Sequence, residues 1–196
     1  MPRLIMPDLS AMAELATRAA RKGPPPVHLW NPPFCGAIDM RIAADGTWYY
    51  QGTPIGRPAM VRLFASILRK DPDRFVLVTP VEMVEIAVED APFLAVAMEK
   101  SGEPGEPALL FRTNVDDEVT ADADHPLRFE REATGGFRPY LLVRGGLWAR
   151  ATRSVYLELV DLAEIHDVGG VAMLGVSSCG TFFPVTAASE IGDFAC

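Results

Sequence analysis

The chain of 196 residues carries 26 acidic and 18 basic side chains, a formal net charge of −8, with 49% hydrophobic and 22% charged residues. This composition excludes a disordered chain, and the negative charge opposes a DNA or RNA backbone as partner unless arginines are segregated onto one face. Three widely spaced cysteines, no basic-then-apolar leader and no apolar run near the about 20 residues of a membrane span set the expectation of a reduced, cytoplasmic, soluble protein.

Leu9 to Arg21 reads as a helix, capped by Asp8 or Ser10, with Glu14 and Arg18 at i and i+4 and an apolar stripe of Leu9, Met12, Ala16 and Ala19. Gly23 and Pro24 to Pro26 end it, giving either an arm packed on the body through a stiff connector or a mobile tail. His28 to Pro33 is extended. The stretch from Ile38 to Asp73 then reads as strand, turn, strand, turn, helix. Asp45-Gly46 is a two-residue type I′ signal, and Thr53-Pro54-Ile55-Gly56 breaks the second strand. Met60, Leu63, Phe64, Ile67 and Leu68 share one helical face, and Asp71-Pro72 ends the helix. Phe75 to Val78 is a buried strand. After Thr79-Pro80, Val84, Ile86 and Val88 alternate with Glu85, Ala87 and Glu89 as a half-buried strand. A domain boundary falls near Asp90.

Phe93 to Glu99 and Ala108 to Arg112 flank a Gly/Pro-rich hairpin tip. Asn114 to Asp124 is acidic and reads as a surface excursion. Leu127 to Arg131 and Tyr140 to Arg144 are strands, and Gly145-Gly146 is a tight turn. A second helix is expected from Thr152 to His166, with Tyr156, Leu159, Val160 and Ala163 on one face. Val171 to Val176 and Thr181 to Val185 are the last strands. A shift of 96 positions lays Arg57, Met60, Leu63, Phe64 and Ile67 over Arg153, Tyr156, Leu159, Val160 and Ala163, which suggests two related halves. The expectation is an α+β chain of two small domains, each of antiparallel strands with one amphipathic helix: an arm over 1–23, then domains over 24–90 and 91–196.

Catalytic signatures fail. Gly52 and Gly56 bracket a loop, but Arg57 stands where a Walker motif needs lysine and a hydroxyl residue. Gly175-Val176-Ser177-Ser178-Cys179-Gly180 misses a nucleophile elbow by one position and reads as a hairpin turn. His28, His125 and His166 are isolated, so neither a metal nor a cofactor is expected. Glu85 and Glu89 read as a solvated strand face, whereas Glu82 sits in a loop at a strand end, where function concentrates. The arginines are the stronger set. Arg57 and Arg153 stand at corresponding helix starts, and arginine suits bidentate recognition of phosphate or carboxylate. Ion pairs to Glu82, Asp90 or Glu158 are the structural alternative.

HLWNPPFCGAIDMRIAADGTWYYQGTPIGRPAMVRLFASILRKDPD, LVTPVEMVEIAVEDAPF, TNVDDEV, HPLRFE and PYLLVRGGLWARATRSVYLELV together resemble the bacterial family catalogued as domain of unknown function 1285, in consistent order from about His28 to Pro184. The resemblance implies a duplicated two-domain α+β fold whose second domain is loosely pleckstrin-homology-like. It also implies a nucleotide-like ligand at the domain junction and a role in signal transduction.

The leading expectation is a non-catalytic cytoplasmic protein holding a small anionic, nucleotide-like ligand. Arg57, Arg62, Arg144 and Arg153 contact anionic oxygens, with Arg41 and Glu82 in the same set. Thr79, Thr113 and Asn114 supply neutral hydrogen bonds, and Trp48 stacks on a ring or packs on its own helix. Two alternatives are an enzyme acting on a phosphorylated or acylated metabolite with Glu82 as base, and a protein-interaction module without a small ligand.

Overall fold

The computed structural model describes residues 9–20, 25–103, 105–133 and 135–194. Asp8, Gly23, Pro24 and Cys196, and the side chains of Leu9, Arg18 and Ala19, lie outside the described residues. The chain divides into two compact units, one of Met1–Pro92 with Gly145–Leu147, the other of Phe93–Arg144 with Trp148–Cys196.

The first unit begins with α1 (Leu9–Ala20), which buries Met12 and Ala16 completely and packs on the unit's second helix. A 3-10 turn over Val27–Leu29 leads into β1 (Phe34–Ile42), which turns back into β2 (Trp48–Tyr50). The turn is not the two-residue type I′ expected from Asp45-Gly46. The Ala43 N–H donates to Thr47 O, so Ala44, Asp45 and Gly46 form a three-residue loop in which Gly46 alone takes positive φ. The two-residue turn comes next, at Gln51-Gly52, with φ of 49° and 73°. It turns β2 into β3 (Thr53–Pro54), so the segment read as a strand break is a short edge strand, where proline is tolerated.

Helix α2 (Pro58–Ser66) starts with proline at its first turn and stops five residues short of Asp71. The Ser66 hydroxyl donates to Leu63 O at 2.7 Å and the Ile67 N–H to Phe64 O, tightening the last turn. Ile67 and Leu68 are buried, but from the turn and from β4 (Leu68–Asp71). Pro72-Asp73 is the tip between β4 and β5 (Arg74–Val78), and β6 (Met83–Val88) follows. The sheet order is β3-β2-β1-β6-β5-β4, with β1 and β6 parallel. The expected all-antiparallel arrangement is therefore corrected: the helix crossover brings the last strand back alongside the first in the same direction.

The second unit opens with the long hairpin of β7 (Phe93–Glu103) and β8 (Glu106–Thr113). Residues 114–124 are more than a surface excursion, because β9 (Glu118–Thr120) adds a strand and Val115 and Ala121 are buried. Next come β10 (Leu127–Arg131), β11 (Phe137–Arg144) and β12 (Leu147–Ala151), giving the order β10-β11-β12-β7-β8-β9 with β12 parallel to β7. Helix α3 (Arg153–Asp161) ends five residues before His166. Leu162 and Ala163 close it by donating to Leu159 O and Val160 O. His166 stands instead on β13 (Glu164–Val168), which precedes β14 (Val171–Ser178) and β15 (Thr181–Ala187) in a separate sheet of order β13-β14-β15. Gly169-Gly170, with φ of 63° and 88°, makes the β13–β14 turn. A 3-10 segment, Ala188–Phe194, follows.

Both units thus contain a hairpin, a helix and a three-strand meander in that order. In the first the meander completes the hairpin's own sheet, whereas in the second it forms a sheet by itself.

Candidate functional site

In the first unit, Arg41 donates to Glu89 Oε1 at 2.6 Å, and its guanidinium lies 4.0 Å from the Tyr49 ring centroid. The other Glu89 oxygen accepts the Ala44 N–H at 3.0 Å, so this arginine braces β1 against the end of β6. Trp48 is 1% exposed and stacks on Phe64 with centroids 6.4 Å apart, and its Nε1 is buried with no partner among the described residues. Its place is the core, under its own helix. Arg57 caps the start of α2 through its backbone and is exposed, as is Arg62 on the helix. Thr79 is fully buried, and its hydroxyl oxygen accepts the Val81 and Glu82 N–H groups at 3.4 and 3.2 Å while donating to Glu82 O. Burial raises the pKa of the half-buried Glu82 above the ordinary carboxylate value.

In the second unit, the structure brings three of the expected residues together. Thr113 is 1% exposed and accepts the Val115 and Asp117 N–H groups at 3.3 and 3.0 Å. Asn114 Oδ1 accepts the Leu94 N–H at 3.0 Å, and the Asn114 N–H donates to Leu94 O at 2.9 Å. Arg144 is paired with Asp117, with its guanidinium 5.0 Å from the Phe93 ring centroid. These groups lock the β8–β9 turn onto the start of β7. Arg153 opens α3 and is exposed. Each of Arg41, Thr79, Thr113, Asn114 and Arg144 thus has at least one side-chain atom engaged within its own unit. Among the described residues, no group of three His, Cys, Asp or Glu side chains is placed to hold a metal ion.

A concave site lies elsewhere, with every described lining residue in the second unit. A cavity of about 560 Å³ is walled by Tyr156, Leu159, Val160 and Ala163 from α3 and its exit. Phe129 on β10, with Gly135, Gly136 and Phe137 leading into β11, forms a second wall. Leu174, Val176, Val185 and Thr186 from β14 and β15, with Ile191, form the third. The volume falls in the range of sites that enclose a drug-sized molecule. The α3 residues are the four that helical spacing grouped on one face, and among the described residues no protein layer fills the space they enclose. Val160, one of the lining residues, is 50% exposed.

Two hydroxyls, those of Tyr156 and Thr186, interrupt the apolar lining. Thr186 is 7% exposed and donates to Glu190 Oε2 at 2.8 Å, the oxygen that also accepts from Arg131 Nη2 at 2.8 Å. Arg131 lies directly across from Phe137 in the β10–β11 ladder, with its guanidinium 5.8 Å from that ring. The cavity therefore carries a hydroxyl at one corner, backed by a charged pair that does not itself line it, while most of its side chains are apolar. Such an arrangement orients a ligand with one polar end.

Residues 25–91 match the model of the N-terminal domain of the DUF1285 domain of unknown function, and residues 92–185 match that of the DUF1285 C-terminal domain. The crystal structure of a DUF1285 family protein from Silicibacter pomeroyi DSS-3 is similar at 51% identity and a TM-score of 0.85, over 94% of this chain and 98% of the other. A DUF1285 family protein from Shewanella baltica OS155 is similar at 31% identity and a TM-score of 0.51, over 63% of this chain and 91% of the other. No curated protein matches the chain.

Proposed function

This chain belongs to the DUF1285 family, and from that premise we propose that it is a small-molecule-binding protein whose ligand places an apolar body in the cavity of the second unit. The observation that carries this reading is the 560 Å³ space between α3, β10–β11 and β14–β15, lined by aliphatic and aromatic side chains with one polar corner. Filling it removes apolar surface from water on both sides, at roughly 25 cal/mol per Å². The lining residues include no lysine or arginine, which argues against a polyphosphate inside the cavity. Arg131 stands behind the lining, joined to Thr186 through Glu190, and on that ground a single carboxylate or sulfonate on an apolar body is the class we favour. Of the lining hydroxyls, that of Thr186 is already donated to Glu190, an arrangement suited to holding a molecule without converting it. Holding without turnover is what a sensor in signal transduction requires.

The test is titration of the purified chain with 1-anilinonaphthalene-8-sulfonate, an apolar body with one anionic end. The expected result is saturable one-to-one binding that is lost in Val160→Trp, which adds bulk to the lining from a half-exposed helix position. Unchanged binding in a V160W protein of unchanged thermal stability overturns the assignment.

A further inference from the structure

The β13-β14-β15 sheet ends in an uncovered edge. β13 is its outermost strand, all five of its residues are exposed, and among the described residues no strand pairs with its outer side. Ile165, Val168 and Val171 on this hairpin are 57, 46 and 50% exposed. An edge of this kind presents a row of backbone donors and acceptors to any extended strand that fits.

The sequence of β13 states which strand fits. Glu164, Ile165 and His166 place an acid and an imidazole on either side of an aliphatic residue. Glu164 and His166 share one face of the strand, with His166 Nε2 3.0 Å from Glu164 Oε1, and the imidazole is stacked at 4.5 Å on the Phe182 ring. Ile165 stands on the opposite face, across from Leu174. We propose that β13 pairs antiparallel with β13 of a second copy of this chain, about a two-fold axis through Ile165. In that register Ile165 meets Ile165 of the second copy on one face. On the other face each Glu164 meets His166 of the second copy, so two acids and two imidazoles alternate around the axis. A two-fold axis through His166 instead sets imidazole against imidazole and Glu164 against Val168. Pairing of an acid with an imidazole across the axis thus selects both the occupant and the register. The two three-stranded sheets become one of six strands, and the exposed edge disappears.

Sedimentation of the full chain over a range of concentrations tests this. The expected result is a reversible dimer whose dissociation constant rises by about tenfold or more in Ile165→Asp, because like charges directly opposite on paired strands repel. Ile165 is exposed, so the variant keeps its monomer fold, checked by circular dichroism. In a background with Cys35, Cys179 and Cys196 changed to serine, Ile165→Cys is expected to form a covalent dimer on mild oxidation, and Val171→Cys is not. A wild-type chain that stays monomeric at high micromolar concentration overturns the proposal. So does a dimer indifferent to I165D, or an I165C chain that fails to cross-link.

Discussion

Arg69, on β4, donates from Nη1 to the backbone carbonyl of Trp30 at 2.7 Å, across 39 positions of sequence. The same nitrogen donates to Val27 O at 3.0 Å, while Nε and Nη2 hold the Asp71 carboxylate at 2.8 and 3.3 Å. A guanidinium with its charge balanced and its fork occupied ties the segment before β1 to the far edge of the sheet. Trp30 completes the attachment by packing on Val76, Val78 and Met83.

Removing this side chain takes the side-chain donor from the Trp30 carbonyl, leaves Val27 O with the Trp30 N–H alone, and leaves a largely buried Asp71 with only Arg74, 3.9 Å away. Arg69→Ala is expected to destabilise the chain by about 3 kcal/mol, the scale of a broken, partly buried charged network. Lysine at this position restores charge but not the fork, and recovers only part of the loss. Urea denaturation checks both, through a lower midpoint at unchanged slope.

Two buried threonines do the same work in the two units. Thr79 closes the β5–β6 turn and Thr113 the β8–β9 turn, each by accepting two backbone N–H groups. Valine at either position keeps the shape and removes the acceptor. Thr79→Val and Thr113→Val are each expected to cost about 2 kcal/mol, with serine, which keeps the oxygen and loses one methyl, costing about half as much. Binding of the anionic naphthalene probe is expected to be unchanged in Thr79→Val, since that turn lies in the first unit and the cavity in the second.

The strands were legible where alternation was strong, as in Val84, Ile86 and Val88, and where a hairpin carried its own turn chemistry, as at Gly145-Gly146. Helix ends were not. Leu68 satisfies the helical spacing from Met60, yet it is buried from a strand, because an apolar residue just past a helix fits both periods. β13 went unseen for a related reason: Ala163 continues the α3 face, while Gly169-Gly170, the signal for a hairpin, lies six residues further on. The arginines and threonines chosen for ligand contact are chemically apt for it, but sequence does not say which carboxylate or N–H lies within reach. Glu89 and Asp117 lie 48 and 27 positions from the arginines they engage. The cavity depends on sheet-to-helix spacing, to which residue patterns are blind.

Gly175 stands at the register shift between β14 and β15. A Cβ built there lies 2.4 Å from both Phe182 Cζ and the carbonyl oxygen of Phe183, and the second of these is backbone. Gly175→Ala is therefore expected to destabilise by about 3 kcal/mol, at the upper end of overpacking costs. Gly56, with no atom within 4 Å of its built Cβ and no positive φ, is the control. Gly56→Ala is expected to change stability by less than about 1 kcal/mol, with stabilisation the favoured sign. Thermal and urea unfolding of the two variants side by side decides whether the β14–β15 approach is as tight as its geometry states.

Glu82 gives the chain a pH dependence of known sign. Burial raises its folded pKa above the ordinary 4.5, so the folded state holds this proton to higher pH than the unfolded state does. In the window from about 4.5 up to the raised value, folding keeps a proton that unfolding releases, and stability falls as pH rises. Below the window the carboxyl is neutral in both states and carries no penalty. Glu82→Gln removes the ionisation, so the variant is expected to match wild type at pH 4 and to exceed it at pH 7. Paired urea titrations at the two pH values measure the difference. An advantage of the same size at both would mean that Glu82 is not held in a desolvated place, and a loss at pH 7 would mean that its charged form makes a contact the fold depends on.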